Sequence, residues 1–323
     1  MDIQTLKTKE VEKIITENKI AQKSFIEQKE ARDARKKEAF MIHVTCMDER
    51  DRFAPTVTGE PCGSIELYAS PGGCFTQDRD PLRGAQELIN IYEKDIKQAQ
   101  EENKEVIIYL MPHTSYADNK AGCAAFKSDE DAEIKYFSDL ADELKKIPLT
   151  QSATIYTVMY DTDDHHLVSF HDSKLPPKYE NVLEKVRETA GISDEGKKDD
   201  LDRFHGGYRV YIGQLYHAWN PRRNVSYFLH DKMDKEELLE GIALALNIIK
   251  THSHANLEEV PMTIQIDRLI GEEDKLKMTN EELINRLNES PLIKDAGLNI
   301  TAEELLIVRS ETNPETWEGV LLD

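Results

Sequence analysis

The sequence predicts an α/β fold in which helices flank a mainly parallel β-sheet. Four apolar runs of strand length occupy residues 41–46, 64–69, 105–111 and 153–161. Helical patterns separate some of these runs, as expected where crossover helices join parallel strands. Cysteine and histidine side chains stand where two of the runs end, and parallel sheets bind ligands at the carboxyl ends of their strands.

The first segment, residues 1–39, is predicted to form an N-terminal helical arm. It contains no glycine or proline and is rich in Lys, Glu, Gln and Ala, which favour helices. Its apolar side chains form only a thin seam at Val11, Ile14, Ile15, Ala21 and Phe25. A helix with so little apolar surface needs a partner.

Two helices are predicted in the central segment. Asp80 followed by Pro81 is typical of an N-cap and a first helical position, and apolar residues then recur at helical spacing at Leu88, Ile89, Tyr92, Ile96 and Ala99. Ser128 with Asp131 predicts the start of a second helix, whose buried face comprises Phe137, Leu140, Ala141, Leu144 and Ile147.

Three parts are predicted: the arm 1–39, a central domain 40–172, and an additional C-terminal α/β module 173–323 of unknown role. In the module, strands near 208–212 and 260–266 flank a predicted helix that starts at Asp234 and buries Leu238, Leu239, Ile242, Leu246 and Ile249. Thr301 with Glu304 resembles a capping box and predicts a further helix start.

A metal site is predicted where the strands end. Cys46 closes the first run, His113 follows the run 105–111, and Cys123 follows a short polar loop. Catalytic zinc sites use three protein ligands of these types and leave the fourth position to water, whose pKa falls to roughly 7. The sequence therefore predicts one Zn²⁺ per chain on Cys46, His113 and Cys123.

Asp48 and Arg50 are the candidate catalytic residues. Asp48 lies two positions beyond Cys46, on the same side of an extended chain. Its carboxylate either accepts a hydrogen bond from the metal-bound water or binds the metal itself. A bidentate guanidinium fixes a carboxylate and keeps it ionised, so Arg50 is expected to hold Asp48 off the metal.

These residues resemble the β-class carbonic anhydrases, whose mark is Cys-x-Asp-x-Arg on a first strand and a later His and Cys after a parallel strand. The resemblance covers roughly residues 38–172 and includes a tight loop of small residues with Gly72 and Gly73. It implies that residues 40–172 form a zinc-binding catalytic domain with a β-carbonic-anhydrase-like fold and a substrate pocket beside Gly72 and Gly73. The implied reaction is the reversible zinc-dependent hydration of carbon dioxide to bicarbonate and a proton. The resemblance also implies a homodimer or higher even oligomer in which the arm packs on a neighbouring subunit; packing on its own domain is the alternative.

The chain departs from that family's pattern in its ligand spacing. His113 and Cys123 are ten positions apart instead of three, and Glu49 replaces the usual serine. The wider spacing is more similar to the carboxysomal shell branch of the family. Two alternatives therefore stay open: hydrolysis of carbon disulfide or carbonyl sulfide on the same fold, and a catalytically inactive, zinc-stabilised assembly protein.

Other residues compete for a metal-binding role. Cys62 and Cys74 are each either a fourth ligand, which would close the metal to water, or a buried thiol. The remaining candidates are histidines for which turn, surface or helix-end roles are favoured: His165, His166, His171, His252 and His254.

The composition limits which binding partners and which cellular location we expect. A net charge of −21 and a pI near 4.9 argue against nucleic acid, because its phosphates would be repelled. Four cysteines, all before residue 124, do not form a disulfide framework, and no apolar run has the length of a signal core or a membrane span. We expect a cytoplasmic protein with a small-molecule substrate and no membrane partner; the shell-branch resemblance adds a bacterial microcompartment as a setting.

Overall fold

The computed structural model describes residues 23, 26–46, 54–61, 63–76, 78–116, 122–190, 208–213, 225–228, 239–240, 243, 262–269, 279–295, 297, 299–300, 305–310 and 320–321. Two compact units are distinguished. One comprises Ala31–His205, and the other comprises Met1–Glu30 with Gly206–Asp323.

The first unit is built on a six-stranded sheet. Its strands are β1 (Ala39–Cys46), β2 (Ile65–Ser70), β3 (Glu105–Met111), β4 (His113–Thr114), β5 (Thr154–Asp161) and β6 (Leu167–Ser169). The order is β2-β1-β3-β5-β4, and β6 pairs with β5. Only the β5–β6 pairing among these is antiparallel. The predicted α/β class and mainly parallel sheet are confirmed.

Strand β4 continues β3 beyond a single interruption at Pro112. Leu110 of β3 and His113 of β4 both pair with β5, opposite Thr157 and Tyr160. Proline has no N–H to give to a ladder, which explains the break. The Pro112 carbonyl still accepts the Tyr160 N–H at 2.9 Å, so the chain stays in line and delivers His113 to the edge of the sheet.

Five α-helices are described along this part of the chain: α1 (Lys29–Glu38), α2 (Ala54–Val57), α3 (Pro81–Glu101), α4 (Glu130–Lys146) and α5 (Tyr179–Ala190). The start of α3 is as predicted, with Asp80 accepting the N–H groups of Leu82 and Arg83. All five apolar residues predicted for its buried face are buried.

The predicted start of α4 is wrong by one residue. Asp129, and not Ser128, is the N-cap, and its carboxylate accepts the Ala132 N–H. An N-cap residue normally has an extended backbone, which Asp129 has, whereas Ser128 has a left-handed φ of 60°. Four of the predicted apolar residues are buried, and Ile147 is the half-buried C-cap.

Both faces of the sheet are covered. Alternation along β1 sends Ile42 and Val44 to one face, where α3 and α4 pack on each other and on the strands. On the other face, Met41 packs with residues of β2 and β3, and a neighbouring cluster joins β5 to α2 and α5 through Val57, Tyr179 and Leu183. Helix α5 lies after residue 172 and packs on this unit. The domain boundary at 172 stays a prediction.

A buried ion pair ties α1 to the loop before β2. The Glu60 side chain is 2% exposed and accepts hydrogen bonds from Arg35 Nε at 2.8 Å and Arg35 Nη2 at 3.0 Å. Lys178 Nζ lies 3.2 Å from the same carboxylate, and the Tyr109 hydroxyl lies 3.5 Å away. The helix of the predicted arm that is described, α1, is therefore anchored to the first unit.

The second unit contains a five-stranded sheet. Its strands are β7 (Tyr208–Gly213), β8 (Val225–Phe228), β9 (Met262–Leu269), β10 (Leu305–Ser310) and β11 (Val320–Leu321), in the order β11-β10-β9-β7-β8. Helices α6 (Asn280–Glu289) and α7 (Pro291–Asp295) precede β10. The strands predicted near 208–212 and 260–266 are confirmed.

Two helix predictions for this unit have different outcomes. The apolar run after Thr301 and Glu304 is strand β10, so the helix expected there is wrong. This run of leucine and β-branched residues pairs with β9 instead. Of the helix predicted from Asp234, only Leu239, Glu240 and Ala243 lie among the described residues, where Leu239 and Ala243 are buried. In the part of the chain that the structure describes, no helix combines the length and hydrophobicity that crossing a bilayer requires.

Candidate metal centre

Three side chains predicted as metal ligands meet in the structure. Cys46, His113 and Cys123 are all buried, and their potential ligand atoms lie within 4.8 Å of one another. The Sγ atoms of Cys46 and Cys123 are 3.9 Å apart. Zinc bonds of about 2.0–2.3 Å in a tetrahedron place ligand atoms roughly 3.3–3.8 Å apart. The group therefore needs only a small contraction to bind a metal ion.

Cys46 is positioned by strand β1 and by the turn after β2. It is the last residue of β1, opposite Ser70 at the end of β2. The Gly72 N–H donates to Cys46 Sγ at 3.3 Å. A backbone N–H aimed at sulfur favours the thiolate form that binds metals.

The turn Pro71–Gly73 requires glycine at two positions. Gly72 and Gly73 have φ values of 65° and 66°, in the left-handed region. A Cβ on Gly72 would lie 2.7 Å from Ala125 Cβ, and one on Gly73 would lie 2.9 Å from Phe137 Cζ. The turn therefore packs directly against the segment that carries Cys123. The assignment of these glycines to a substrate pocket stays a prediction.

His113 and Cys123 come from the next part of the sheet edge. His113 begins β4 and is fully buried. Cys123 precedes a 3-10 turn, Ala124–Phe126, and its carbonyl accepts the N–H groups of Phe126 at 3.1 Å and Ser128 at 2.9 Å. These bonds hold the Cys123 backbone at the entrance to α4.

A fourth ionisable group at this centre was not predicted from the sequence. Glu133, in the first turn of α4, is 2% exposed, and its Oε1 accepts the backbone N–H of His113 at 3.4 Å. A signal for it exists: Glu133 precedes the buried Tyr136 and Phe137 by three and four positions, so it lies on the buried side of the helix.

Burial governs the protonation of the centre without a metal. Burial, with the Cys46 thiol nearby, raises the pKa of Glu133 to about 8, against the opposing effect of His113. The hydrogen bond to Cys46, together with burial, raises the pKa of the Cys123 thiol well above its ordinary value. Metal binding releases thiol protons because the thiolate is the ligand.

Cys74 does not belong to the group of three. Among the described residues, the clustered ligand atoms are those of Cys46, His113 and Cys123 alone. The Cys74 thiol donates instead to the Gly72 carbonyl at 3.6 Å, and burial raises its pKa to about 12. A role for Cys74 as the fourth ligand is therefore not supported by this conformation.

The neighbouring histidines have other partners. Tyr160 Oη and His165 Nδ1 form a hydrogen bond, His166 Nδ1 lies 2.8 Å from Tyr179 Oη, and His171 Nε2 lies 2.9 Å from Asp142. His166 and His171 are partly exposed, and His165 follows a turn, as predicted; His165 is only 1% exposed, so a surface role for it is wrong. The predicted residues Asp48, Arg50, Cys62, His252 and His254 lie outside the described residues.

The residues present fit a zinc ion. Two thiols and one imidazole are ligands that zinc accepts, whereas magnesium and calcium prefer oxygen ligands. The groups that face the buried Glu133 carboxyl are thiols, His113 and a backbone N–H. Where the chain is described, no lysine or arginine pairs with that carboxyl, so a bound cation would supply the compensating charge.

Comparison with known proteins gives no independent assignment. Neither the scan against protein-family models nor the search of curated proteins finds a match to this chain.

Proposed function

We propose that the protein is a zinc-dependent carbonic anhydrase that interconverts carbon dioxide and bicarbonate. The observation that carries the proposal is the buried group of Cys46, His113 and Cys123 at the carboxyl edge of a mainly parallel sheet. Three protein ligands are the number that leaves a metal position open to solvent or substrate. The sequence motif with Asp48 and Arg50 supports the same activity.

Zinc bound there supplies a water molecule acidic enough to become a nucleophile near neutral pH. The chain's own residues hold and orient the reactants. Cys46 and Cys123 furnish negative charge to the cation, and the Gly72 N–H restrains the Cys46 sulfur. In the proposed mechanism, Asp48 orients the attacking oxygen through a hydrogen bond and Arg50 holds Asp48 in the orientation that leaves the metal open.

Metal content and activity test the proposal together. We expect one zinc per chain and acceleration of carbon dioxide hydration, measured by stopped flow from neutral to alkaline pH. Cys46→Ser should lose both zinc and activity. Cys74→Ser is the matched control, because Cys74 lies outside the ligand group, and it should keep both. Zinc-loaded protein that does not accelerate hydration at any of these pH values contradicts the proposal.

Asp48→Ala separates catalysis from a purely structural metal. An enzyme of this mechanism loses turnover while it keeps zinc and fold, because Asp48 orients the nucleophile and does not bind the metal. A zinc-stabilised assembly protein has no turnover to lose. Carbon disulfide and carbonyl sulfide, offered to the same preparations, distinguish the related hydrolase activities.

We further propose a homodimer or higher even oligomer. The proposal follows from the family resemblance of the first unit and from the thin apolar seam of the arm. Light scattering at micromolar concentration tests it, and a monomer would contradict it.

A further inference from the structure

Glu133 is a buried ionisable group beside the ligands to which neither the motif nor the proposed mechanism gives a role. It lies in the first turn of α4, while His113 belongs to β4 and Cys123 to the turn before α4. It therefore faces the metal site from the helix that covers the edge of the sheet.

We propose that Glu133 is a positioning residue of the metal centre, whose carboxyl group restrains His113 and Cys123 and whose buried negative charge favours a divalent cation. The inference rests on the proposed zinc site. It adds a residue that the Cys-x-Asp-x-Arg motif does not contain.

The contacts define how Glu133 would act. Its Oε1 accepts the His113 backbone N–H at 3.4 Å, and the carboxyl group also interacts with the Cys123 thiol. It is not a member of the group whose ligand atoms all lie within 4.8 Å. Glu133 therefore acts on two of the ligands from outside the coordination shell, as carboxylates near metal ligands commonly do.

The electrostatics distinguish this role from ordinary helix packing. The Glu133 side chain is buried, and in the described chain it has no lysine or arginine partner. Burial of a carboxyl group without a charged partner is unfavourable in the metal-free protein. If Glu133 only filled space in the core, an uncharged side chain of the same shape would make the fold more stable. A bound cation would compensate the charge of the carboxylate.

The substitution Glu133→Gln tests the effect of the side-chain charge alone. Glutamine keeps the size of the side chain and an oxygen that accepts the His113 N–H. Asp131→Asn is the matched control, because it removes a carboxylate from the same helical turn at an exposed position. Zinc affinity of each folded protein is measured by competition with a chromophoric chelator at one fixed pH, and circular dichroism reports the fold.

Loss of the Glu133 charge should affect zinc affinity and the stability of the metal-free protein differently. Glu133→Gln should weaken zinc binding by roughly 10- to 100-fold, the effect typical of lost outer-shell partners. The melting temperature of the metal-free variant should be unchanged or higher. If Glu133 had a purely structural role, the substitution would lower that temperature. Asp131→Asn should retain wild-type zinc affinity.

Cobalt substitution gives a second readout that does not depend on catalysis. The thiolate-to-cobalt absorption bands report the geometry of Cys46 and Cys123, and Glu133→Gln should change them while Asp131→Asn should not. If Glu133→Gln fails to fold, Glu133→Asp replaces it; this variant keeps the charge and moves it by one methylene, and weaker zinc binding is again expected.

Two results overturn the inference. One is a folded Glu133 variant with wild-type zinc affinity and an unchanged cobalt spectrum; the other is an equal loss of affinity in Asp131→Asn, which would indicate a general effect of helix charge. Wild-type protein that binds no zinc defeats the proposed function itself. Zinc binding by the wild-type protein is therefore measured first, before any variant is compared.

Discussion

The sulfur atoms of Cys46 and Cys123 lie 3.9 Å apart, although 77 positions separate the two residues in the chain. One ends strand β1 and the other precedes helix α4. Their contact depends on the parallel pairing of β1 with β3, which brings the two chain segments to the same edge of the sheet. The centre is thus a product of the tertiary fold.

Replacement of either cysteine by serine should abolish stoichiometric zinc binding. A serine hydroxyl is a poor zinc ligand at neutral pH because it stays protonated, and two protein ligands then remain. Zinc content after gel filtration and cobalt charge-transfer absorption measure the loss for Cys46→Ser and Cys123→Ser. Cys74→Ser should behave as wild type, since Cys74 lies outside the group; retention of zinc by Cys46→Ser would contradict the site.

Zinc should stabilise the native protein. Free zinc at a hundred times its dissociation constant raises the free energy of unfolding by about 2.7 kcal/mol if the unfolded chain does not bind it. Thermal unfolding with added zinc, and again after a chelator, measures the effect. The Cys46→Ser protein is the control and should show no zinc-dependent shift; an equal shift in both proteins would point to binding elsewhere.

His43 should make the fold sensitive to acid. Burial lowers its pKa from 6.5 to about 3, and its ring nitrogens have no hydrogen-bond partner among the residues that the structure describes. Between those values the unfolded chain binds a proton that the folded chain does not, so stability falls as the pH falls. About 2 kcal/mol should be lost by about pH 5.

His43→Leu removes that proton linkage. We expect a flatter stability profile between pH 6.5 and about 5, and greater stability at pH 7 because two unsatisfied polar atoms disappear. Urea unfolding at several pH values provides the measurement. An acid limb identical to that of wild type would show that other groups control the acid response.

The ion pair of Arg35 with Glu60 should be important for stability. Arg35→Met leaves a carboxylate that is 2% exposed with Lys178 as its remaining cation, which should cost about 3–5 kcal/mol. Lys178 is 45% exposed, so Lys178→Met should cost only about 0–1 kcal/mol. Chemical denaturation compares them. Adding Glu60→Gln to Arg35→Met should recover much of the loss, and no recovery would refute the charge explanation.

Gly73→Ala should weaken both the fold and the metal site. A left-handed φ costs a side chain about 1–2 kcal/mol, and the clash with Phe137 Cζ at 2.9 Å adds about 1–3 kcal/mol. The new Cβ would also lie 3.2 Å from the carbonyl oxygen of Thr45, the residue before Cys46, so zinc affinity should fall.

Gly63→Ala is the control for backbone strain. Gly63 also has a positive φ, 78°, but it lies in the loop before β2. It should lose stability and keep wild-type zinc affinity. Calorimetry and chelator competition distinguish the two variants. Equal zinc affinities would show that the turn Pro71–Gly73 does not influence the metal site.

Local rules account for the parts of the fold that the sequence predicts well. Asp80 and Pro81 carry the chemistry of a helix start within two residues, and strands β1 and β3 are long, mostly apolar runs. The start of α4 depends on the left-handed backbone of Ser128, a property that its side chain does not reveal. The run after Thr301 becomes a strand because it pairs with β9, a contact that is remote in the sequence.

The metal ligands are predictable for a related reason. Cys46 ends one recognisable strand and His113 follows another, and parallel pairing makes the ends of neighbouring strands neighbours in space. Glu133 gives a weaker signal because a glutamate in the first turn of a helix usually complements the positive end of that helix. Its burial arises from the fit of α4 over the sheet edge.

The interruption at Pro112 has a consequence for the order of assembly. His113 and Cys123 lie on one short stretch of chain and require only a small loop to approach each other, whereas Cys46 must wait for β1 to align with β3. Loop closure alone therefore favours the approach of His113 to Cys123 over that of Cys46. A metal ion bound by all three side chains would tie strand β1 to the chain that follows β3 and oppose their separation.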